Sequence, residues 1–216
     1  MSHLKRHEMP KTWAIPRKGT AYVVKPLTDL SRSIPLLIVL RDFLKVVQNR
    51  HETKRILHLK QVLLNSKEIK DEKAGLYLFD VVSLIPLKKS YRIELSQHGK
   101  FEAREIKEGD AHHKIAKIIN KKTLKGKKTQ LNLSDGRNFL SEMKCQVNDS
   151  VLVNLKESKI DKCLPLKEGA KIMIVAGKHI GESGIIKSLD SKEKMAQVES
   201  NVSVMKVLIK QLIVTE

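Results

Sequence analysis

Apolar residues recur at helical spacing between residues 36 and 57, and mostly at strand spacing from residue 62 onward. Ser33 and Pro35 are typical of a helix start, with Ser33 as the cap and Pro35 in the first turn. The apolar residues of 36–47 then recur every three or four positions. The same patterns predict a second helix over 49–57 and short strands over 62–64 and 76–85. This part of the chain is therefore predicted to form a compact α+β unit.

Residues 91–163 show mostly strand and turn patterns. Apolar and polar residues alternate over 91–95, as they do in a half-buried strand. Residues 108–120 are an exception, because three isoleucines recur on one side of a helical projection and predict a short helix. Turns are predicted at 97–100 and 135–137, and a further strand at 131–133. The stretch is predicted to be a β-rich central domain.

The two ends of the chain differ from each other. Residues 164–216 contain short apolar stretches separated by turns, which predict five strands in a small barrel. Residues 1–33 are interrupted by Pro10, Pro16 and Pro26, and they offer few apolar side chains for packing. This first segment is predicted to be irregular and to order only against a partner.

The charge balance narrows the class of partner. The 216 residues include 42 Lys and Arg against 24 Asp and Glu, a formal net charge of +18. A chain this basic repels itself unless an anionic partner neutralises it, and the usual partners are nucleic acid or an acidic membrane. Residues 1–60 carry 13 basic and four acidic side chains, whereas residues 161–216 carry nine and seven. The N-terminal third is therefore the predicted docking end.

Membrane, disulfide and metal chemistry are not favoured by the sequence. The longest apolar run, 35–40, is too short to cross a bilayer, and no apolar stretch follows the basic start, so a cytoplasmic protein is expected. Cys145 and Cys163 are expected to be reduced, partly buried thiols. His3 and His7 lack a third metal ligand. No catalytic constellation is found, so we expect no enzyme activity, no cofactor, no metal and no small-molecule substrate.

The candidate RNA-binding residues fall into four groups. Phosphate contacts need cations, and base contacts need planar groups. In the N-terminal segment the candidates are Lys5, Arg6, His7, Lys11, Trp13, Arg17 and Lys18. In the helical segment they are Arg41, Lys45, Arg50, Lys54 and Arg55, of which Arg50 and Lys54 lie on one helix face. In the lysine-rich loop 121–129 they are Lys121, Lys122, Lys125, Lys127 and Lys128. In the glycine-rich loop they are Gly177, Lys178, His179 and Gly181.

Each group also has a simpler interpretation. Trp13 fits a hydrophobic anchor as well as a base-stacking residue, and His7 fits either stacking or packing on ribose. The helical cations and the lysine-rich loop fit ordinary solvated surfaces. The glycine-rich loop fits a tight hairpin without a ligand, and it is not a P-loop because it lacks the Gly-Lys-Ser/Thr ending and a following helix.

Several stretches, in order along the chain, resemble the small-subunit ribosomal protein S4e family of archaea and eukaryotes. They are 3–6 (HLKR), 10–13 (PKTW), 15–19 (IPRKG), 34–42, 75–84, 131–138 (LNLSDGRN) and 177–184 (GKHIGESG). The resemblance implies a structural constituent of the small ribosomal subunit that binds small-subunit rRNA beside neighbouring ribosomal proteins. It also implies a basic segment 1–33, an alpha-L RNA-binding domain 34–90, a central β-rich domain 91–163 and a KOW-type small barrel 164–216.

The chain departs from the family pattern in two places. Family members often have glycines in the turns where this chain has Leu59-Lys60 and Asn65-Ser66-Lys67, and the basic C-terminal tail of eukaryotic members is absent. Both departures are typical of a compact archaeal member. Two other functions stay open at this level: a KOW-containing translation or transcription factor, and an RNA-modifying enzyme that carries an alpha-L domain.

Overall fold

The structure of the chain is a computed structural model that describes residues 3–125, 128–141, 143–190, 193–200 and 203–215. The chain divides into two compact units. The first comprises Met1–Ser96 with Lys100–His112, and the second comprises Gln97–Gly99 with His113–Glu216. The described residues form mostly β-strands and few helices, so the helical content is smaller than the predicted α+β class implies.

The first unit contains both α-helices of the described residues and three antiparallel sheets. The sheet orders are β1-β2, β3-β6 and β5-β4-β7-β8-β9. Its elements are β1 Leu4–Lys5, β2 Tyr22–Val23, β3 Ile34–Pro35, α1 Leu36–Ile38, α2 Arg50–His58, β4 Val62–Leu64, β5 Lys67–Glu68, β6 Gly75–Leu76, β7 Val81–Leu84, β8 Lys89–Leu95 and β9 Phe101–Ile106. The predicted strand over 62–64 and the alternating strand over 91–95 are confirmed.

The first predicted helix is shorter than its apolar pattern suggested. Its single α-helical turn, α1, continues as a π-helical turn over Val39–Phe43, and Lys45 has a positive φ of 54° that ends the helical path. Ser33 does not cap it, because the Ser33 hydroxyl donates to the Asp29 carbonyl at 2.6 Å. All five residues from Leu36 to Leu40 are buried, as expected for a helical turn surrounded by protein.

The second predicted helix is confirmed as α2. Asn49 is its N-cap and forms a capping box with Glu52. Thr53 and Leu57 are its buried residues, and most of the other side chains face solvent. The helix therefore packs by a narrow side and leaves a wide polar face exposed.

The N-terminal segment is ordered by contacts within its own unit, which corrects the prediction that it orders only against a partner. Leu4 and Lys5 of β1 pair with Val23 and Tyr22 of β2. The Trp13 indole is 2% exposed and donates from Nε1 to the Ser33 carbonyl at 3.0 Å. A single buried aromatic side chain thus fastens this proline-interrupted segment to the start of α1.

Three residues that precede or follow β4 have left-handed backbones. Lys60, Asn65 and Ser66 have φ values of 55°, 51° and 64°, in a region that glycine adopts at least cost. These are the turns in which the family resemblance leads us to expect glycines. Asparagine tolerates this conformation better than serine or lysine does, and Asn65 also makes side-chain hydrogen bonds there.

The second unit contains two five-stranded antiparallel sheets, with orders β12-β11-β10-β13-β14 and β18-β17-β16-β15-β19. The strands of the first sheet are β10 His113–Thr123, β11 Thr129–Leu133, β12 Asn138–Ser141, β13 Ser150–Asn154 and β14 Lys159–Leu164. Those of the second are β15 Lys171–Ile174, β16 Ser183–Asp190, β17 Met195–Glu199, β18 Val204–Leu208 and β19 Leu212–Val214. Each sheet has its own cluster of buried apolar side chains.

The helix predicted over 108–120 is wrong. Glu108–His112 forms a 3₁₀ turn, and the isoleucine-rich remainder is strand β10. Isoleucine is β-branched and suits a pleated surface better than a helix, so the helical spacing of the three isoleucines was misleading. Near the C-terminus, the two strands predicted around 202–209 are one strand, β18, and the final strand β19 was not predicted.

Lys117 of β10 links the two sheets of the second unit. Its ammonium group donates to the Ile209 carbonyl at 2.5 Å and to the Leu212 carbonyl at 2.8 Å. Ser150 of β13 reinforces the contact, because its hydroxyl accepts from the Val214 amide at 2.9 Å. Burial lowers the pKa of Lys117 to about 8. A buried cation whose partners among the described residues are carbonyl oxygens thus joins the sheets.

We expect the stability of the second unit to rise with pH relative to a Lys117→Met variant. Because the folded-state pKa lies below the ordinary value of 10.5, the unfolded chain holds more protons between pH 8 and that value. Between about pH 7 and pH 10, the unfolding free energy of the wild type should therefore rise by roughly 2 kcal/mol relative to that of the Lys117→Met variant. Urea unfolding at several pH values, with alkylation of the buried Cys145 in the same unit as the probe of unfolding, measures this difference in free energy. A difference that is independent of pH would contradict the assignment.

Candidate nucleic-acid interface

Two arginines proposed for phosphate contact brace the N-terminal segment instead. The Arg6 guanidinium donates to the Thr20 carbonyl at 2.8 Å, to the Pro16 carbonyl at 2.7 Å and to the Thr20 hydroxyl at 2.7 Å. Arg17 donates to the carbonyls of His7 and Met9, each at 3.2 Å. These partners are neutral, so both side chains keep their charge. Their guanidinium N–H groups, however, are used in hydrogen bonds that hold the N-terminal segment together.

The planar groups of this segment are not equivalent. Trp13 cannot stack on a base, because its indole is buried and its Nε1 is bonded to Ser33. This corrects the RNA-binding assignment of Trp13 in favour of the hydrophobic anchor. His7 is exposed, with 74% of its side chain accessible, and lies 4.0 Å from Glu8. Lys5, Lys11 and Lys18 are exposed and make no ion pair with a described residue.

Two of the five helical-segment cations are held in ion pairs. Arg50 donates from Nε to Oε1 of Glu72 at 2.5 Å, and the Glu72 side chain is only 3% exposed. The hydrogen bond that Arg50 donates to Glu72 raises the pKa of Arg50. Arg41 pairs with its neighbour Asp42 at 2.8 Å. Arg50 therefore compensates a buried carboxylate, and Arg41 is partly neutralised.

The remaining side chains of α2 form an exposed cationic face. Lys54 and Arg55 are exposed and make no ion pair with any residue that the structure describes. At about 100° per residue, His51 and His58 project between them. We name these four residues the α2 basic face. The sequence reasoning missed both histidines, although His51–Arg55 and Lys54–His58 each have the i,i+4 spacing that would have identified them.

The lysine-rich stretch 121–129 is strand at both of its ends. β10 runs on to Thr123, and β11 begins at Thr129. Lys121 donates from Nζ to the Cys145 carbonyl at 3.1 Å. Lys122, Lys125 and Lys128 are exposed, and Lys127 lies outside the described residues. Three described lysines of this stretch are therefore available to an anionic partner.

The glycine-rich loop is a tight turn at its centre. Gly177 and Gly181 have φ values of 96° and 90°, but Gly181 is buried and its amide donates to the Ile174 carbonyl at 2.8 Å. Gly181 therefore does not offer its backbone to a ribose-phosphate chain, which corrects that assignment. His179 pairs with Glu182 at 3.1 Å, and Lys178 is exposed. A Cβ at Gly184 would lie 2.4 Å from the Glu199 carbonyl oxygen, so this glycine serves strand packing.

Buried ionic groups of the second unit are used within the fold. Lys114 donates to Asp135 at 2.7 Å, and both side chains are at most 5% exposed. Burial alone would raise the pKa of Asp135, but the charge and hydrogen bond of Lys114 outweigh it and hold that pKa below its ordinary value. Burial raises the pKa of the Cys163 thiol to about 12. No group of three metal-ligating side chains occurs among the described residues.

In the part of the chain that the structure describes, no helix is long and apolar enough to cross a membrane.

The comparisons with known proteins agree with one another. The family described as "Ribosomal family S4e" matches residues 87–160. Small ribosomal subunit protein eS4 of Methanocella arvoryzae is 39% identical over 191 residues, covering 87% of this chain and 81% of that protein. The eS4 protein of Archaeoglobus fulgidus is 40% identical over 188 residues, covering 86% and 79%. The crystal structure of 30S ribosomal protein S4e from Thermoplasma acidophilum has a TM-score of 0.74 at 25% identity, covering 85% of this chain and 95% of that one.

Fold, charge and relatives thus define the class as ribosomal proteins of the small subunit. Within that class, the chain belongs to the S4e family, as the resemblance of its sequence motifs predicted.

Proposed function

We propose that this chain is a structural, non-enzymatic constituent of the small ribosomal subunit, where it binds small-subunit rRNA and contacts neighbouring ribosomal proteins. The observation that carries the proposal is the α2 basic face, whose Lys54 and Arg55 are exposed and without ion-pair partners among the described residues. Exposed cations that make no ion pair with a described residue are available to an anion such as the phosphate backbone of RNA. The relatives supply the context, because each carries the name of a small-subunit protein.

We also propose the finer division of the chain into a basic segment 1–33, an alpha-L RNA-binding domain, a central domain and a KOW-type module 164–216. The boundary expected between residues 90 and 91 falls inside strand β8 of the first compact unit, so we place the start of the central domain near His113. The proposed alpha-L domain is supported by helix α2 and the α2 basic face. The last part is supported by its own five-stranded sheet and its own buried cluster. A KOW-containing factor or an RNA-modifying enzyme is disfavoured, because the eS4 relatives match the chain over 86–87% of its length rather than over one module.

The proposal is tested by binding the purified chain to small-subunit and large-subunit rRNA of one archaeon across a salt series. We expect tighter binding to the small-subunit rRNA and an affinity that falls steeply and linearly on logarithmic axes as salt rises. A tagged copy should also stay with small subunits through a moderate salt wash. Equal affinity for both rRNAs, together with complete loss from subunits on washing, would contradict the proposed function.

A further inference from the structure

Three asparagines form a row across adjacent strands of the second unit. Asn120 of β10 pairs in register with Asn132 of β11, which in turn pairs with Asn138 of β12. The next row on the same face lies two positions further along each strand and consists of Lys122, Gln130 and Leu140. We name these two rows the amide face. With cross-strand Cα separations of about 5 Å, the asparagine row is about 10 Å long.

The amide face is the outer side of its sheet. The opposite side carries Ile118, Leu131 and Leu133, which are buried in the apolar cluster of this sheet. On the outer side, Asn120, Lys122, Asn138 and Leu140 are exposed, and Gln130 and Asn132 are partly exposed. The row is therefore presented to whatever lies outside the sheet.

Most side-chain hydrogen-bonding groups of the row bond to no residue that the structure describes. Asn120 Oδ1 accepts from the Lys121 amide at 2.7 Å, and Asn132 Oδ1 accepts from Gln130 Nε2 at 2.9 Å. The amide nitrogens of these two asparagines, and the whole amide of Asn138, bond to no described residue. The three side chains also do not bond to one another, although their strands are in direct register.

Folding does not explain why asparagine stands at all three positions. Asparagine is depleted in β-strands, whereas threonine suits an exposed strand position and is equally soluble. Three adjacent unfavourable choices on one face therefore point to recognition of a partner. The ligand must be one that neutral donors and acceptors can read, in a setting that the nearby lysines make attractive to an anion.

We propose that the amide face docks in the minor groove of an A-form RNA helix, where the asparagines bond to 2′-hydroxyls and base edges. The proposal rests on the function proposed above. The minor groove of A-form RNA is wide and shallow and displays these groups, so a flat sheet face can reach them. Lys122 in the second row, together with Lys125 and Lys128 between β10 and β11, would contact the phosphates at the borders of the groove.

The face does not suit the alternative of single-stranded RNA. Sheets that bind unpaired bases use aromatic side chains as stacking platforms. No aromatic residue occurs in either row of the amide face, and Phe139 of β12 packs against the buried cluster on the other side. Hydrogen bonding to a duplex is therefore the mode that these side chains support.

The test is a triple variant with Asn120→Thr, Asn132→Thr and Asn138→Thr in the full chain. We expect small-subunit rRNA to be bound roughly a hundredfold less tightly, because each neutral hydrogen bond contributes a factor of about five. The salt dependence should stay unchanged, because no cation is removed. The variant should unfold at the same or higher urea concentration, since threonine favours strands. Gln197→Thr, an exposed amide on strand β17, is the matched control and should bind as the wild type does.

Hydroxyl-radical footprinting of the same complexes identifies the partner. Riboses that the wild type protects and the triple variant does not should lie in paired rRNA segments. If they lie in unpaired segments, the duplex assignment is wrong. If the triple variant binds and protects the rRNA as the wild type does, the amide face does not contact RNA, whether or not the variant still joins other ribosomal proteins. Equal affinity of the wild type for both rRNAs, together with its complete loss from washed subunits, would instead overturn the proposed function.

Discussion

A variant with Lys54→Ala and Arg55→Ala is expected to bind small-subunit rRNA roughly a hundredfold less tightly than the wild type. Each side chain is exposed on the α2 basic face, and a hydrogen bond to a charged phosphate contributes about 1.5 kcal/mol or more. The plot of log affinity against log salt concentration should become flatter, with the size of its slope smaller by about 1.5, because two phosphate contacts are lost. Titration across a salt series measures both quantities.

Arg50→Ala on the same helix is the matched control for this variant. Arg50 holds the buried carboxylate of Glu72, so its loss should lower the unfolding free energy of the first unit. The guanidinium is half exposed, which limits the cost to about 1–2 kcal/mol. Trp13, the single tryptophan, lies in this unit and reports its unfolding. An Arg50→Ala variant that flattened the salt dependence as much as the double variant would show that the basic face has no special role.

These two variants illustrate what the sequence could and could not predict about the site. Composition and spacing identified α2 as a cationic helix, because apolar periodicity and i,i+4 spacing are local signals. They could not separate Arg50 from Lys54, because the partner of Arg50 is Glu72, 22 residues further along the chain. Only the tertiary fold shows which cations are neutralised inside the protein. The fold likewise shows that the Arg6 guanidinium bonds to carbonyls across a loop, although these partners do not neutralise its charge.

The fold was predictable where the signal lies within a few residues. The alternation over 91–95 predicted β8, and the Asp135–Arg137 stretch predicted the turn between β11 and β12. β10 was mistaken for a helix because its three isoleucines recur at helical spacing, whereas its pairing with β13 makes it a strand. The amide face was not predicted at all, because it depends on the register of three strands.

A second large effect concerns Asp80, which the sequence showed only as a polar interruption of an apolar run. The Asp80 side chain is buried with 2% exposure, and its two carboxyl oxygens accept from Asn65 Nδ2 at 2.7 Å and from the Tyr77 amide at 2.6 Å. Asn65 in turn accepts from the Val81 amide at 3.0 Å. The carboxyl group thus holds the left-handed turn at Asn65 against the start of β7.

We expect Asp80→Ala to lower the unfolding free energy of the first unit by about 4 kcal/mol, because a buried donor and a partly buried donor lose their acceptor at once. Asp80→Asn should cost about half as much. The new amide oxygen can still accept one of the two hydrogen bonds, but the new amide nitrogen is a donor and faces the other donor. Glu102→Ala, an exposed carboxylate on β9, should change the value by no more than about 0.5 kcal/mol. Urea unfolding followed by Trp13 fluorescence ranks the three variants. An Asp80→Ala cost as small as that of Glu102→Ala would mean that the turn at Asn65 is held by its backbone bonds alone, and the order Ala, Asn, wild type would confirm that the carboxyl group holds it.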